Sequence, residues 1–281
     1  MVTAVIGVGL IGGSLAIELR TKGVSDHIIG VDSNGQHAVE ALALGIVDDM
    51  MDLESAVMKA DLVILTTPVK AAVILLPQIL DKIRPDTVVM DMGSTKDEIC
   101  KAVKHHPNRN QYVASHPIAG TENSGPKAAL KNLFSHKIGI LCDISQSNDK
   151  AVALAKSIYQ ALDMNLVYMD SDSHDMHVAY VSHISHISSF VLAITVLDIE
   201  KNTSTIFDLA GSGFASTVRL AKSSPAMWGP IFEQNAKYIS QALGSYIEKL
   251  SEFKAHIDNN NGQAVQQLME KANEIRKILK D

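Results

Sequence analysis

Three stretches of this 281-residue sequence hold side chains able to do chemistry. The first is SHPIAG at 115–120, where His116 follows the apolar-leaning run Tyr112-Val113-Ala114. Pro117 biases the residue before it toward extended backbone, and Gly120 permits a sharp turn. A neutral imidazole held on such a stiff segment suits the acceptance of a hydroxyl proton while hydride leaves the same carbon. It equally suits a hydrogen-bonded structural histidine, and the residues alone leave both open. Ser94, in DMGSTKDEI, could hold the same hydroxyl or orient the ring, and either Ser94 or Thr95 is placed to cap the following helix.

The second stretch, DSHDMHVAYVSHISH, brings His174, His177, His183 and His186. His183 and His186 stand three apart, on one face of a helix. No carboxylate completes a metal-ligand spacing around them, so no metal is expected. Ser182, Ser185, His186 and Ser189 form a polar stripe that either lines a ligand pocket or packs on another helix. The third stretch, LAGSGFASTVRLAKSSPAMWGPI, contains Arg219. A guanidinium near a glycine-rich turn can clamp a carboxylate at two points, though a surface arginine is the commoner case. Trp228, the one tryptophan, reads by default as core.

These groups need a sheet edge to stand on, and the N-terminal part supplies the pattern of one. β-rich runs at 3–8, 27–32, 62–67, 86–92, 111–115, 137–143 and 165–170 alternate with helical spacing at 10–22, 36–44, 70–83, 95–105 and 148–162. That alternation predicts an α/β, Rossmann-like doubly wound parallel sheet. VIGVGLIGGS places Gly7, Gly9 and Gly12 in G-x-G-x-x-G spacing between a strand and a helix. Gly7 permits the turn, Gly9 admits a pyrophosphate, and Gly12 lets helix and strand approach. The helix start, with Leu10 and Ile11, offers free N–H groups to phosphate. Asp32, twenty residues past Gly12, can bind ribose hydroxyls and would repel a 2′-phosphate, which favours NAD over NADP. Thr67 and Pro68, in LTTPVK, sit where open sheets bind ligands.

After Asp170 the β pattern stops. Helices are expected over 171–199, 204–221, 227–256 and 262–280, giving domains 1–170 and 171–281. The run FVLAITVL at 190–197 is too short to span a bilayer and reads as part of a buried helix. The helix over 178–199 is apolar on more than one face, which a second subunit could cover. A net charge of −6 without charge blocks argues against nucleic-acid and membrane-surface partners. Cys100 and Cys142 make no disulfide framework, and no secretion signal precedes the first strand, so a cytoplasmic home is expected.

GVGLIGGS, TTPV, DMGSTK, SHPIAGTENSG, the D-x-x-x-A-x-x-S-H-x-x-H spacing from Asp175 to His186, and AGSGF…RLA…MW at 210–228 together resemble the prephenate/arogenate dehydrogenase family of tyrosine biosynthesis. The resemblance covers nearly the whole chain. It implies oxidative decarboxylation: hydride passes from ring carbon 4 of prephenate to NAD, the ring carboxylate leaves as carbon dioxide, and aromatic 4-hydroxyphenylpyruvate forms. It implies His116 against the 4-hydroxyl with Ser94 assisting, His183 and His186 near the substrate, and Arg219 on a substrate carboxylate. Thr121, Glu122, Ser223 and Trp228 match positions around the side-chain end.

The resemblance further implies a 6-phosphogluconate-dehydrogenase-like build whose all-α C-terminal domain forms a homodimer, with tyrosine as a feedback ligand. Met92 and Thr95 depart slightly from the family pattern, so which of Ser94 and Thr95 meets the substrate stays open. The expected substrate is prephenate, with arogenate the alternative; Glu122 could meet arogenate's ammonium. A β-hydroxyacid dehydrogenase would use a lysine in the helical domain instead. A non-catalytic NAD sensor would not need the proton acceptor. Neither a fused mutase nor a regulatory domain is expected between the first Rossmann strand and the final helix.

Overall fold

The computed structural model describes residues 1–201 and 206–279. Two compact units divide the chain, Met1–Asn235 and Ala236–Asp281. The first is built on an eight-stranded sheet. Its strands are β1 (Val2–Ile6), β2 (His27–Val31), β3 (Asp49–Met50), β4 (Leu62–Leu65), β5 (Val88–Asp91), β6 (Tyr112–Pro117), β7 (Ile138–Cys142) and β8 (Asn165–Met169), in spatial order 3-2-1-4-5-6-7-8.

Each central strand sends alternate residues to opposite faces, and both faces are covered, as a parallel sheet requires. Ala4, Ile6, Val63 and Leu65 meet α3 (Leu53–Lys59), α4 (Val69–Lys82) and α5 (Asp97–Ala102) on one face. Leu62, Ile64 and Met90 meet α1 (Leu10–Thr21) and α6 (Asp149–Ala161) on the other, where Val5 and Ile28 lie over α1 and α2 (Gly35–Ala43). The chain moves outward from β1 to β3 and returns to β4 beside β1. That reversal opens a crevice at the carboxyl ends of β1 and β4, the usual ligand position in such sheets.

All pairings are parallel but one: β7 runs antiparallel to β6, and β8 follows the direction of β7. The connection over 118–137 holds only one short 3-10 turn, Pro126–Ala128, so no crossover helix carries the chain back to the opposite edge. β7 therefore starts where β6 ends, pairing Gly139 with Pro117 and Ile140 with His116. His116 is thus held in the β6–β7 ladder, with Ser115 and Pro117 paired before and after it.

A helical run follows β8: α7 (Ser171–Val178), a π turn (Ala179–His183) and α8 (Ile184–Glu200). The expected burial of 190–197 does not hold within one chain. Ser189 alone is buried in α8, while Val191, Ile194 and Leu197 are each more than half exposed. By length and composition, 171–200 would pass as a membrane span. Its first half, however, carries Asp175, His174 and His183, buried in contacts described below. The remaining apolar part, 187–200, spans about 21 Å of helix, short of a bilayer core of about 30 Å.

The helix expected over 204–221 begins outside the described residues. From 206 onward it is broken into a 3-10 turn (Ile206–Leu209), α9 (Ser212–Thr217) and a second 3-10 turn (Arg219–Lys222). Gly211, a poor helix former, stands at the break as the N-cap of α9. The expected 227–256 helix is two: α10 (Pro225–Gln234) ends at Asn235, and α11 (Ala236–Asp258) belongs to the second unit with α12 (Gly262–Ala272).

Candidate active site

Gly7 stands at φ +98°, a conformation that side chains rarely tolerate. A Cβ on Gly12 would lie 2.0 Å from the Gly7 carbonyl oxygen and 2.6 Å from Thr66 Oγ1, so only glycine lets α1 pack here. A Cβ on Gly9 would meet nothing within 4 Å, which leaves that backbone open to a ligand. Gly9 caps α1 without a side-chain bond, and the first turn has no acidic residue. Its leading N–H groups and positive dipole end, including those of Leu10 and Ile11, therefore face the crevice uncompensated.

The other wall is β4's exit. Thr66 donates its hydroxyl to the Gly7 carbonyl at 2.5 Å and so braces the turn. Thr67 Oγ1 is buried with no protein partner, and Pro68 starts α4. A buried hydroxyl without a partner at a ligand crevice calls for one from the ligand. At the end of β2, Asp32 Oδ2 accepts from Val8 N–H at 3.0 Å and Oδ1 from Asn34 N–H at 2.8 Å. Each oxygen keeps a lone pair for a ribose hydroxyl, and the negative charge disfavours a phosphate there. Turn, free helix end, orphan hydroxyl and carboxylate fit a dinucleotide.

Three strand spacings away, about 14 Å, the same edge holds His116. Its Nδ1 lies 2.9 Å from Nε2 of His174, on α7. His174 Nδ1 lies 2.7 Å from Asp175 Oδ1. Asp175 also accepts backbone N–H groups from Lys96 at 2.8 Å and Asp97 at 3.0 Å. The start of α5 is thus capped by a carboxylate from α7; neither Ser94 nor Thr95 performs the expected cap. Thr95, buried, donates to Gln234 Oε1 at 2.7 Å. With that hydroxyl committed, half-buried Ser94 is the one of the pair left toward solvent.

Burial first, then the neighbouring His174, Lys96 and His183, hold His116 well below the usual histidine range. It is therefore neutral and able to accept a proton near pH 7. His174 is lowered by burial too, against the opposing pull of Asp175.

The remaining candidates continue the row. Asn235 Nδ2 donates to the Asp175 carbonyl at 2.7 Å and faces His183 Nδ1 at 3.2 Å. With Nδ1 accepting, His183 carries its proton on Nε2 and presents a donor. Burial lowers its pKa to about 4. His183 meets Trp228 edge to face, with centroids 5.8 Å apart, and His186 stacks on the same indole at 3.6 Å. Trp228 is buried, but its Nε1 has no protein partner. The His186 pKa is lowered mainly by burial, with Arg219 nearby contributing. Arg219 itself is exposed, at the start of a 3-10 turn that ends with buried Ser223.

The structure thus links His116, His183, Trp228 and His186 through His174, Asp175 and Asn235, with Arg219 near His186 but outside the row. It does not draw Thr121 or Glu122 into that row. Thr121 Oγ1 accepts from Asn123 N–H at 3.2 Å on the loop after β6, and Glu122 is exposed. Sequence reasoning gave no role to Asp175, His174, Lys96 or Asn235. The adjacent His174-Asp175 pair was the available signal; its distant partner was not.

A dinucleotide cradle at a sheet reversal, with a neutral histidine on the same edge, defines a nicotinamide-dependent dehydrogenase. The comparisons narrow the class. Residues 15–168 match the family described as prephenate dehydrogenase, nucleotide-binding domain, and residues 170–271 its dimerization domain. Prephenate dehydrogenase of Bacillus subtilis is 30% identical over 92% of this chain and 70% of its own length. Cyclohexadienyl dehydrogenase of Zymomonas mobilis is 29% identical over 99% and 95%. The crystal structure of Aquifex aeolicus prephenate dehydrogenase with hydroxyphenyl propionate and NAD+ superposes with a TM-score of 0.89 at 28% identity, covering 100% of this chain and 98% of that one. The chain belongs to the prephenate dehydrogenase family.

Proposed function

We propose that this chain is an NAD-dependent prephenate dehydrogenase, with residues 1–170 carrying the nucleotide and 171–281 the substrate and dimer functions. The observation that carries the reading is His116, held neutral on the sheet edge that bears the dinucleotide cradle. When bound, NAD supplies the hydride acceptor. Gly7, Gly9, Gly12 and the start of α1 would hold its pyrophosphate, Asp32 its ribose, and Thr67 and Pro68 the wall beside it.

In this reading His116 accepts the 4-hydroxyl proton as hydride leaves ring carbon 4. Ser94 orients that hydroxyl. Loss of the ring carboxylate as carbon dioxide then returns its bonding pair to the ring, which becomes aromatic while the ring oxygen takes the proton back from His116. The enzyme's task is positioning and proton acceptance. His183 offers an Nε2–H donor to the substrate, and Trp228 with His186 forms a flat wall for its ring. Arg219 pairs with a substrate carboxylate. Thr121, Glu122 and Ser223 border the side chain.

The exposed apolar side of α8 supports a homodimer through the helical part. Tyrosine, with a similar ring, is the feedback ligand this reading admits, and the setting is cytoplasmic. The test is direct: protein, NAD and prephenate should yield NADH and carbon dioxide together. Arogenate in a parallel reaction decides between the two substrates. Inert behaviour toward both would overturn the proposal.

A further inference from the structure

The histidine base has a fixed direction only if something fixes which of its nitrogens is protonated. The contacts around His116 supply that. Asp175 receives two backbone N–H groups, at 2.8 and 3.0 Å, one on each carboxylate oxygen. Such an anion is an acceptor only. The 2.7 Å contact to His174 must then carry its proton on His174 Nδ1. A neutral His174 with Nδ1–H has a lone pair on Nε2. The 2.9 Å contact to His116 must therefore carry its proton on His116 Nδ1. This leaves His116 Nε2 as the free lone pair.

We infer that His174 and Asp175 are positioning residues that set the His116 tautomer, so that Nε2 is the atom that accepts the substrate proton. The relay rests on the reading of His116 as the base and deepens it. On proton transfer, the substrate O–H bond breaks and the His116 Nε2–H bond forms. The imidazolium keeps its Nδ1–H toward His174, whose own proton stays shared with the fixed carboxylate. No proton needs to travel down the row; the carboxylate steadies the charge that appears at its far end.

Both members are buried, His174 with no exposed surface and Asp175 with 2%. Their order is enforced by parts of the fold unrelated to the reaction, since the α5 start holds the carboxylate. The same residue's carbonyl holds Asn235, which fixes the tautomer of His183 in the opposite sense. One residue on α7 thus sets an acceptor on one side of the pocket and a donor on the other.

The test uses the full chain labelled with 15N-histidine, with His116→Asn to assign the resonance. His116 should show the Nδ1–H tautomer in the absence of any ligand. Asp175→Leu removes the acceptor toward His174 Nδ1, so nothing holds that ring's tautomer and the His116 proton spreads over both nitrogens. Turnover should fall on the order of 10²- to 10⁴-fold, with the KM for NAD unchanged.

Because that variant also weakens the α5 cap, His174 is tested separately. His174→Gln keeps an acceptor toward His116 and a donor toward Asp175, and should retain kcat within about tenfold. His174→Phe keeps neither, and should lose on the order of 10²-fold or more while still binding NAD. A wild-type His116 protonated at Nε2, or equal kcat for the Gln and Phe variants, would overturn the inference. Wild-type protein inert toward both candidate substrates would sink the proposed function instead, while the tautomer spectrum would still judge the relay.

Discussion

Lys96 Nζ is buried against the Asp91 carboxylate, and neither side chain has exposed surface. Asp91 ends β5, and it also accepts Tyr112 Oη–H at 2.7 Å, Ser115 N–H at 3.1 Å and Gly93 N–H at 2.9 Å. One carboxylate therefore ties the loop bearing Ser94 to the strand residue before His116. Removing its cation strands a charge in the core. Lys96→Met should cost about 3–5 kcal/mol of folding stability, as for other broken buried pairs. Denaturant titration would show it as a lowered midpoint with an unchanged slope. A loss under about 1 kcal/mol would mean that the remaining donors suffice for Asp91.

His116→Asn removes the proton acceptor and keeps the size and polarity of the site. Turnover should fall by about two to four orders of magnitude. Thermal unfolding should separate this from misfolding, since the variant keeps the β6–β7 ladder. Wild-type turnover in the variant would remove His116 from the chemistry.

Arg219 lies outside the hydrogen-bonded row, near enough to His186 for its charge to be felt there. Arg219→Ala should raise the substrate KM by at least about tenfold, the worth of roughly 1.4 kcal/mol, and leave the KM for NAD near its original value. Equal increases in both would argue against a substrate clamp.

The cofactor half was legible because its signals are local. Gly7, Gly9, Gly12 and Asp32 lie within one βαβ unit, where spacing maps directly onto geometry. The reactive half was legible only as residue types. His116 and His174 are 58 positions apart, and Lys96 and Asp175 are 79 apart, so no periodicity joins them. Asp175 could be read in sequence only as a carboxylate two turns before His183, not as the cap of α5. The direction of β7 was hidden for a related reason: it depends on what the 118–137 connection lacks. The short β3 and α3 carry too little pattern to stand out. The apolar excess of α8 was visible, and the single chain leaves it uncovered.

The two glycines of the cradle should fail in different ways. Gly12→Ala forces a Cβ to within 2.0 Å of a backbone carbonyl, so α1 must shift and both stability and NAD binding should drop. Gly9 has φ −74° and open space where a Cβ would go. Gly9→Ala should leave folding stability within about 0.5 kcal/mol of wild type, yet weaken NAD by about tenfold or more, because the methyl occupies the pyrophosphate's approach. Calorimetric titration with NAD and a thermal melt of each variant make the comparison. Unchanged NAD affinity in Gly9→Ala would put the dinucleotide elsewhere.

His183 makes folding stability depend on pH in a predictable sense. Its folded pKa is about 4, against an ordinary 6.5, because burial penalises the charged ring. Between those values the unfolded chain binds a proton that the folded chain refuses. Stability is therefore intact above about pH 6.5 and declines as the pH falls toward about 4, by up to about 1.4 kcal/mol per pH unit for this histidine. His116 and His174 are lowered as well and act in the same direction. Carboxylate protonation adds its own loss nearer pH 4, so the informative window is from pH 6.5 down to about 5. Denaturant unfolding across that window should give a shallower slope for His183→Gln than for the wild type, since glutamine does not titrate. Identical slopes would mean that His183 is protonated in the fold, and the donor it offers would then come from an imidazolium.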